Sequence, residues 1–245
     1  MQTRTRMASA VGALVTMLGT VGPLGTVPAV AQVAVEPEAD ISVWNAPSSM
    51  DGVGSWLATV NDPAAGPGQA LPAYAYLHFF YFENSDAFGF ISLDVDGGQK
   101  SATFAIYNPA DDTFVGNTVP FNWTAGRLYF PLVYGLGHGT WGGWVYDHAA
   151  ASWTFIDGET VPLTWGKLRG VSATSVIWVG DPLSSCSAFP LADVMRYPPY
   201  GFVGGTIATS LAWTVDTIPG DCPVETSAQE GWVRYRVGAG ATPAA

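Results

Sequence analysis

Apolar residues occur along this chain in short runs, each ended by Gly, Pro, Asn or Asp. Residues 74–82 are aromatic or apolar at nearly every position, which predicts a strand buried on both faces. Residues 231–237 alternate between apolar and polar instead. This alternation predicts a strand with Val233, Tyr235 and Val237 facing inward.

Further runs of the same length and composition predict more strands. Asp96-Gly97-Gly98 separates two of them and predicts a hairpin turn. No window has the periodicity and caps of a long amphipathic helix, so short strands with frequent turns indicate one antiparallel β-sandwich over residues 41–238. The remaining predicted strands are 88–95, 101–107, 127–134, 143–147, 152–157, 175–179, 194–197 and 209–218.

The N-terminal residues predict a secretion signal. Arg4 and Arg6 precede an apolar stretch, and Ala29-Val30-Ala31 has the small-x-small pattern of a cleavage site, so we expect residues 1–31 to be removed near Ala31. Residues 32–40 and 239–245 are expected to be flexible. The apolar stretch is too short and interrupted to span a bilayer, so the sequence predicts a secreted protein without a membrane anchor.

Composition and charge limit the class of protein and the classes of binding partner. Hydrophobic residues make up 48% of the chain and charged residues 12%, which excludes a disordered protein. The net charge of −11, which loss of Arg4 and Arg6 would make two units more negative, disfavours nucleic acid and anionic lipid as partners.

Cys186 and Cys222 are the only cysteines. An even pair in an exported chain predicts one disulfide, with two free thiols as the alternative. A metal or redox pair would need closer spacing, such as C-x-x-C.

The stretch GLGHGTWGGWVYDH, residues 135–148, contains a G-x-G-x-x-G match from Gly137 to Gly142. A dinucleotide loop needs a helix after its glycines, because the helix N-terminus holds the pyrophosphate. Residues 143–147 have a strand pattern instead. No cofactor is therefore predicted.

Several short patterns, in order along the chain, resemble a family of exported bacterial domains of unknown function. The resemblance implies a concanavalin-A-like or jelly-roll β-sandwich of the lectin and glucanase type. The family's acidic residue between aromatics is replaced here by Val176-Ile177-Trp178-Val179-Gly180, so no catalytic role is carried over. The matching patterns are Phe88-Gly89-Phe90-Ile91, Phe104 to Asn108, Trp123 with Gly126 and Tyr129, Trp141 with Trp144, Val145 and Asp147, Ile156-Asp157-Gly158 with Val161-Pro162, and Cys186 with Pro190.

Two carboxylate pairs have the i, i+2 spacing that places side chains on one face of a strand: Asp94 with Asp96, and Asp157 with Glu159. Such pairs could serve glycoside hydrolysis, and the first could contribute to a calcium site. Both lie at predicted strand ends beside glycine, where turn formation already explains them. No metal site is predicted, since His138 and His148 lack ligand spacing.

The ten tryptophans favour a sugar-binding surface, because an aromatic ring packs on the apolar face of a pyranose. Trp141 and Trp144 lie three residues apart and face opposite sides of a strand; we expect Trp144 and Tyr146 inward and Trp141 outward. The predicted function is binding of an extracellular or cell-wall glycan by a monomer. The alternatives are a polysaccharide-degrading hydrolase or lyase with carboxylates from distant segments, and an extracellular protein-binding module. The predicted ligand-binding residues are Trp141, Asp147, His148 and Trp153.

Overall fold

A computed structural model describes residues 41–45, 49–181, 183, 185–209, 212–216, 222, 224–229 and 231–241. The predicted leader 1–31, the segment 32–40 and residues 242–245 of the predicted tail lie outside the described residues. No helix in the described ranges is long and apolar enough to cross a membrane.

The described chain is built from strands, with two short 3₁₀ helices at Leu163–Trp165 and Cys186–Ala188. The strands are Ile41–Asn45 (β1), Gly52–Gly54 (β2), Leu57–Thr59 (β3), Ala73–Phe82 (β4), Phe88–Asp96 (β5), Gln99–Asn108 (β6), Thr113–Pro120 (β7), Leu128–Gly137 (β8), Thr140–Asp147 (β9), Ser152–Thr160 (β10), Leu168–Trp178 (β11), Ala192–Arg196 (β12), Tyr200–Val203 (β13), Thr206–Thr209 (β14), Ala212–Asp216 (β15), Val224–Gln229 (β16) and Trp232–Val237 (β17).

The strands form two antiparallel sheets, which confirms the predicted β-sandwich. The first sheet has seven strands in the order β15-β1-β11-β4-β5-β6-β7. In the second, ten-stranded sheet, β8 pairs with β9 on one side and with both β2 and β3 on the other; β9 also pairs with β10. β12 and β13 continue this sheet beside β3 and β2, respectively.

The strongest sequence signals agree with the structure. β4 is buried at nearly every position, as predicted. Gly97 and Gly98, with φ of 55° and 89°, make the predicted turn between β5 and β6. On β17 the inward residues Val233, Tyr235 and Val237 are buried, and the residues between them are partly exposed.

Other strand predictions were wrong. Residues 209–218 were predicted as one strand, yet β14 and β15 belong to different sheets, and residues 210, 211, 217 and 218 lie outside the described part. The predicted strand 175–179 is only the end of the much longer β11. β7 was missed because it is a mostly exposed edge strand that contains Gly116 and ends at Pro120, both unusual within strands.

The core lies between the two sheets. Phe80 of β4 and Phe104 of β6 stack with ring centroids 6.1 Å apart, and Tyr76 meets Trp123 edge-on at 5.7 Å. A Cβ placed on Gly143 of β9 would lie 2.6 Å from the ring of Phe104. The sheets therefore approach each other closely where β9 has glycine.

Cys186 and Cys222 form the predicted disulfide, with Cα atoms 5.3 Å apart. Cys186 lies in the segment that follows β11 of the seven-stranded sheet, and Cys222 precedes β16 of the ten-stranded sheet. The disulfide therefore links the segment between β11 and β12 covalently to the residues that precede β16.

Candidate functional site

The outward face of the ten-stranded sheet carries a group of aromatic side chains. The register places Phe130 of β8 opposite Tyr146 of β9, and Tyr146 opposite Trp153 of β10. Two residues along the same strands, Trp144 lies opposite Phe155. We define the aromatic platform as Trp56, Phe130, Trp144, Tyr146, His148, Trp153, Phe155 and Tyr200.

Rings of the platform contact one another at ordinary aromatic packing distances. Tyr146 and Trp153 have centroids 5.0 Å apart, and Trp56 lies 4.9 Å from Phe130. Phe130 also approaches Tyr200 at 6.0 Å. Trp56 also lies 6.2 Å from Tyr146 and 5.6 Å from His148, so six rings are linked by contacts. The Trp144–Phe155 pair, at 5.3 Å, continues the surface along β9 and β10.

Glycines let the rings lie against the backbone. A Cβ on Gly54 of β2 would sit 2.6 Å from Cζ of Phe130, and one on Gly142 would sit 2.2 Å from Cη2 of Trp144. Since real Cβ contacts are longer than this, any larger residue at either position would push the ring away from the sheet. The two glycines therefore allow the rings of Phe130 and Trp144 to pack directly against the backbone of the sheet.

The platform is accessible to a ligand. Trp153 and Phe155 are 51% and 52% exposed, Trp144 and Tyr146 are half-buried, and only Phe130 is buried. Within the described ranges, no protein hydrogen bond engages the indole nitrogens of Trp144 and Trp153 or the hydroxyl of Tyr146. The surface therefore offers apolar ring faces together with polar groups at their edges.

The prediction for the faces of β9 was wrong. Trp141 is 5% exposed and packs edge-on against Phe82 in the core at 5.6 Å, whereas Trp144 and Tyr146 point outward. Alternation correctly put Trp141 and Trp144 on opposite faces, but it could not say which face meets the core. Val145 shares a face of β9 with Trp141 and is fully buried, so this face is the one that meets the core. Trp141 is thus absent from the outward surface on which we predicted it.

Of the other three predicted site residues, two belong to the platform and one lies at the β9–β10 turn. Trp153 and His148 belong to the platform, and the His148 ring lies 5.6 Å from Trp56. Asp147 accepts backbone hydrogen bonds from Ala149 and Ala150 in the β9–β10 turn, and its Oδ2 lies 3.7 Å from Nη1 of Arg127. Asp147 is therefore already engaged in shaping the hairpin.

Residues 135–148 form the β8–β9 hairpin and its second strand. Gly137, His138 and Gly139 all have positive φ, of 91°, 53° and 79°, and make the turn. β9 follows the turn directly. The glycines of the G-x-G-x-x-G match therefore serve a turn and a strand, not the start of a helix.

The first carboxylate pair, Asp94 and Asp96, lies on the other sheet from the platform. Asp94 is half-buried on the outward face of the seven-stranded sheet, opposite Ala75 and Ser101, and accepts a 2.6 Å hydrogen bond from Thr103. Burial raises the pKa of Asp94 to about 6, although the hydrogen bond from Thr103 acts in the opposite direction. Asp96 is exposed at the end of the same strand.

Asp157 and Glu159 lie on the edge strand β10. Burial, and then the neighbouring Asp157 carboxylate, raise the pKa of Glu159. In the described part of the chain, no group of three or more His, Cys, Asp and Glu side chains could hold a metal ion. Neither pair therefore meets the six-to-eight-oxygen requirement of a calcium site by side chains alone.

Sequence reasoning assigned only His148 and Trp153 of the eight platform residues to a binding surface, and it wrongly placed Trp144 and Tyr146 on the inward face. Trp56 follows the short strand β2, and Tyr200 begins β13, so both reach the platform only through long-range pairing. Phe155 had a usable signal, since it lies two residues after Trp153 on a predicted strand and must share its face. Phe130 lies in the predicted strand 127–134 but was not assigned to a surface.

No family model and no curated protein sequence matches the chain. A crystal structure of scytalido-glutamic peptidase with a transition state analog inhibitor is similar over 83% of this chain and 98% of its own, with a TM-score of 0.52 and 11% identity. A second structure of that peptidase, with a peptide-based analog, gives a TM-score of 0.50 and 13% identity over the same shares. Basic winged bean lectin with Tn-antigen gives 0.35 and 12% identity over 82% of this chain and 73% of its own. At these identities the similarity to the peptidase structures shows a shared β-sandwich fold and nothing more.

Proposed function

We propose that this chain is an exported β-sandwich protein that binds a glycan through the aromatic platform. The observation that carries this proposal is the concentration of eight aromatic side chains on one outward sheet face, with Trp153 and Phe155 half exposed. A large contiguous exposed apolar surface on a folded protein often marks a binding site.

A sugar fits this surface better than a purely apolar ligand does. Pyranose rings have apolar C–H faces that stack on aromatic rings and hydroxyls that need hydrogen-bond partners. The indole nitrogens of Trp144 and Trp153 and the hydroxyl of Tyr146 lie among the platform rings and can serve those hydroxyls. The net charge of −11 favours a neutral glycan, because an acidic surface repels acidic polysaccharides at long range.

Export is part of the proposal. The disulfide supports an oxidising compartment, since such bonds persist mainly in secreted and periplasmic proteins. The predicted leader and the resemblance to exported domains point the same way. A single chain supplies the whole platform, so we propose that a monomer suffices for binding.

The experiment compares glycan binding by the wild type and two surface variants. A glycan array identifies a ligand, and isothermal titration calorimetry gives its affinity. Trp153→Ala removes an exposed platform ring and is expected to weaken binding by about fivefold or more, equivalent to about 1 kcal/mol. Leu163→Ala is the control, because Leu163 is 74% exposed and outside the platform.

Equal affinities for the wild type and Trp153→Ala would refute the platform as the binding surface. Absence of binding to every neutral glycan, combined with capture of a protein partner, would favour the protein-binding alternative. Circular dichroism of each variant shows whether the fold is retained.

Hydrolysis of a polymer is the second candidate, and one observation favours it. A raised pKa of about 6 keeps Asp94 partly protonated near neutral pH, as a general acid requires. Its only same-strand carboxylate neighbour on that face is Asp96, so a second catalytic carboxylate would have to come from another segment. Release of reducing ends from a polysaccharide panel, lost in Asp94→Asn, would favour this candidate over binding alone.

A further inference from the structure

Arg196 lies in the core between the two sheets. It occupies an inward position of β12, opposite Leu57 of β3 and Val233 of β17, and its side chain is fully buried. Nη2 donates a 3.0 Å hydrogen bond to the backbone carbonyl of Leu77 on β4. Nε and Nη1 are also buried, and no described residue accepts a hydrogen bond from either nitrogen.

Among the described residues, none supplies a counter-charge to Arg196. Asp193 is the only buried carboxylate in the described ranges, but it is held by two hydrogen bonds from Arg234, at 2.7 and 2.6 Å. Asp193 is an odd number of residues from Arg196 on β12 and therefore lies on the opposite face. His78 is fully buried and neutral, because burial, and then the charge of Arg196, lower its pKa to about 3. A buried cation without a partner is strongly unfavourable, so compensation is expected.

Two further buried hydroxyl groups near Arg196 have no protein partner. They are the Tyr76 hydroxyl on β4 and the Thr59 hydroxyl on β3. Thr59 pairs with Val194, which makes it a diagonal neighbour of Arg196, at a typical separation of about 7–8 Å. Tyr76 comes from the facing sheet, and the charge of Arg196 acts on its ionisation.

We propose that Arg196, Tyr76 and Thr59 bind a small monovalent anion such as chloride between the two sheets. Each of the four unpartnered groups can donate a hydrogen bond. An anion accepts several such bonds and also neutralises the guanidinium. One water molecule accepts about two hydrogen bonds and leaves the charge in place, so an anion satisfies this set of groups better.

The site differs from the aromatic platform in location and chemistry. The platform lies on the outward face of the ten-stranded sheet, whereas Arg196 faces the core, so a structural anion would stabilise the sandwich without touching a glycan. Failure of either proposal therefore leaves the other intact.

Bromide is the direct probe, because it replaces chloride and scatters X-rays anomalously. In crystals of the full chain soaked in bromide, we expect an anomalous peak in contact with the Arg196 guanidinium. In solution, the melting temperature is expected to rise by several degrees when chloride replaces gluconate at constant ionic strength. Absence of the peak, or water at that position, would overturn the proposal.

Variants separate the site from general salt effects. Arg196→Met should lose both the bromide peak and the chloride dependence. Arg127→Met removes a half-exposed surface arginine and should keep both. Should Arg196→Met fail to fold, Tyr76→Phe and Thr59→Val preserve side-chain shape and each remove one donor. Each of these variants is expected to need several-fold more chloride for the same rise in melting temperature, and an unchanged requirement in both would count against the proposal.

Discussion

Replacement of Trp141 by alanine should destabilise the sandwich far more than replacement of any platform tryptophan. Trp141 is 5% exposed and packs edge-on against Phe82 at 5.6 Å. A buried aromatic side chain removes about 150–250 Å² from water. At about 25 cal/mol per Å² this gives about 4–6 kcal/mol, and measured aromatic-to-alanine changes in cores give about 3–5 kcal/mol. We therefore expect Trp141→Ala to lower the free energy of unfolding by about 4 kcal/mol.

Trp153→Ala is the matched comparison within the same hairpin. Trp153 is 51% exposed, so its loss removes about half as much buried surface and is expected to cost about 2 kcal/mol or less. Urea unfolding followed by far-ultraviolet circular dichroism measures both values without relying on tryptophan fluorescence, which the substitutions change. A smaller loss for Trp141→Ala than for Trp153→Ala would refute the assignment of faces on β9.

Two other predictions concern stability. The pKa of Asp94 is raised from 3.8 to about 6 in the folded protein, so its contribution is fully present below pH 3.8 and is lost as pH rises through 6. The loss is about 3 kcal/mol, and Asp94→Asn should remove it; urea midpoints from pH 4 to 7 that run parallel in the two proteins would contradict this. The disulfide joins residues 36 positions apart, so Cys186→Ser with Cys222→Ser should lower the free energy of unfolding by about 4 kcal/mol in the chain-entropy model. Non-reducing peptide mapping checks the bond, and two alkylatable thiols in the purified protein would count against it.

The sequence predicted correctly which residues share a face of a strand, but it did not always predict which of the two faces meets the core. Alternation on β17 correctly assigned Val233 and Tyr235 to the core, because their neighbours are arginines that favour solvent. On β9 both faces carry aromatic residues, so Trp141 and Trp144 give no such contrast. Only the position of β9 relative to the facing sheet, seen at Gly143 against Phe104, decides which tryptophan is buried.

Features that depend on long-range pairing were beyond sequence reasoning. Trp56 and Tyr200 are 144 positions apart, and both contact Phe130 only because β2 pairs with β8 and β13 pairs with β2. Arg196 ends a short apolar run and resembles a solvated strand end, yet its register opposite Leu57 directs it into the core. Local pattern gives the period of a strand, but the neighbouring strands determine what each face meets.

The position of a bound oligosaccharide shows directly whether the aromatic platform is the glycan-binding surface. Crystals of the protein soaked with the strongest-binding oligosaccharide from the array would show which surface holds it. We expect a sugar ring stacked on Trp153 or on the Trp144–Phe155 pair, with its hydroxyls hydrogen-bonded to the platform edges. Sugar bound instead beside Asp94 on the outward face of the seven-stranded sheet, with the platform empty, would contradict it.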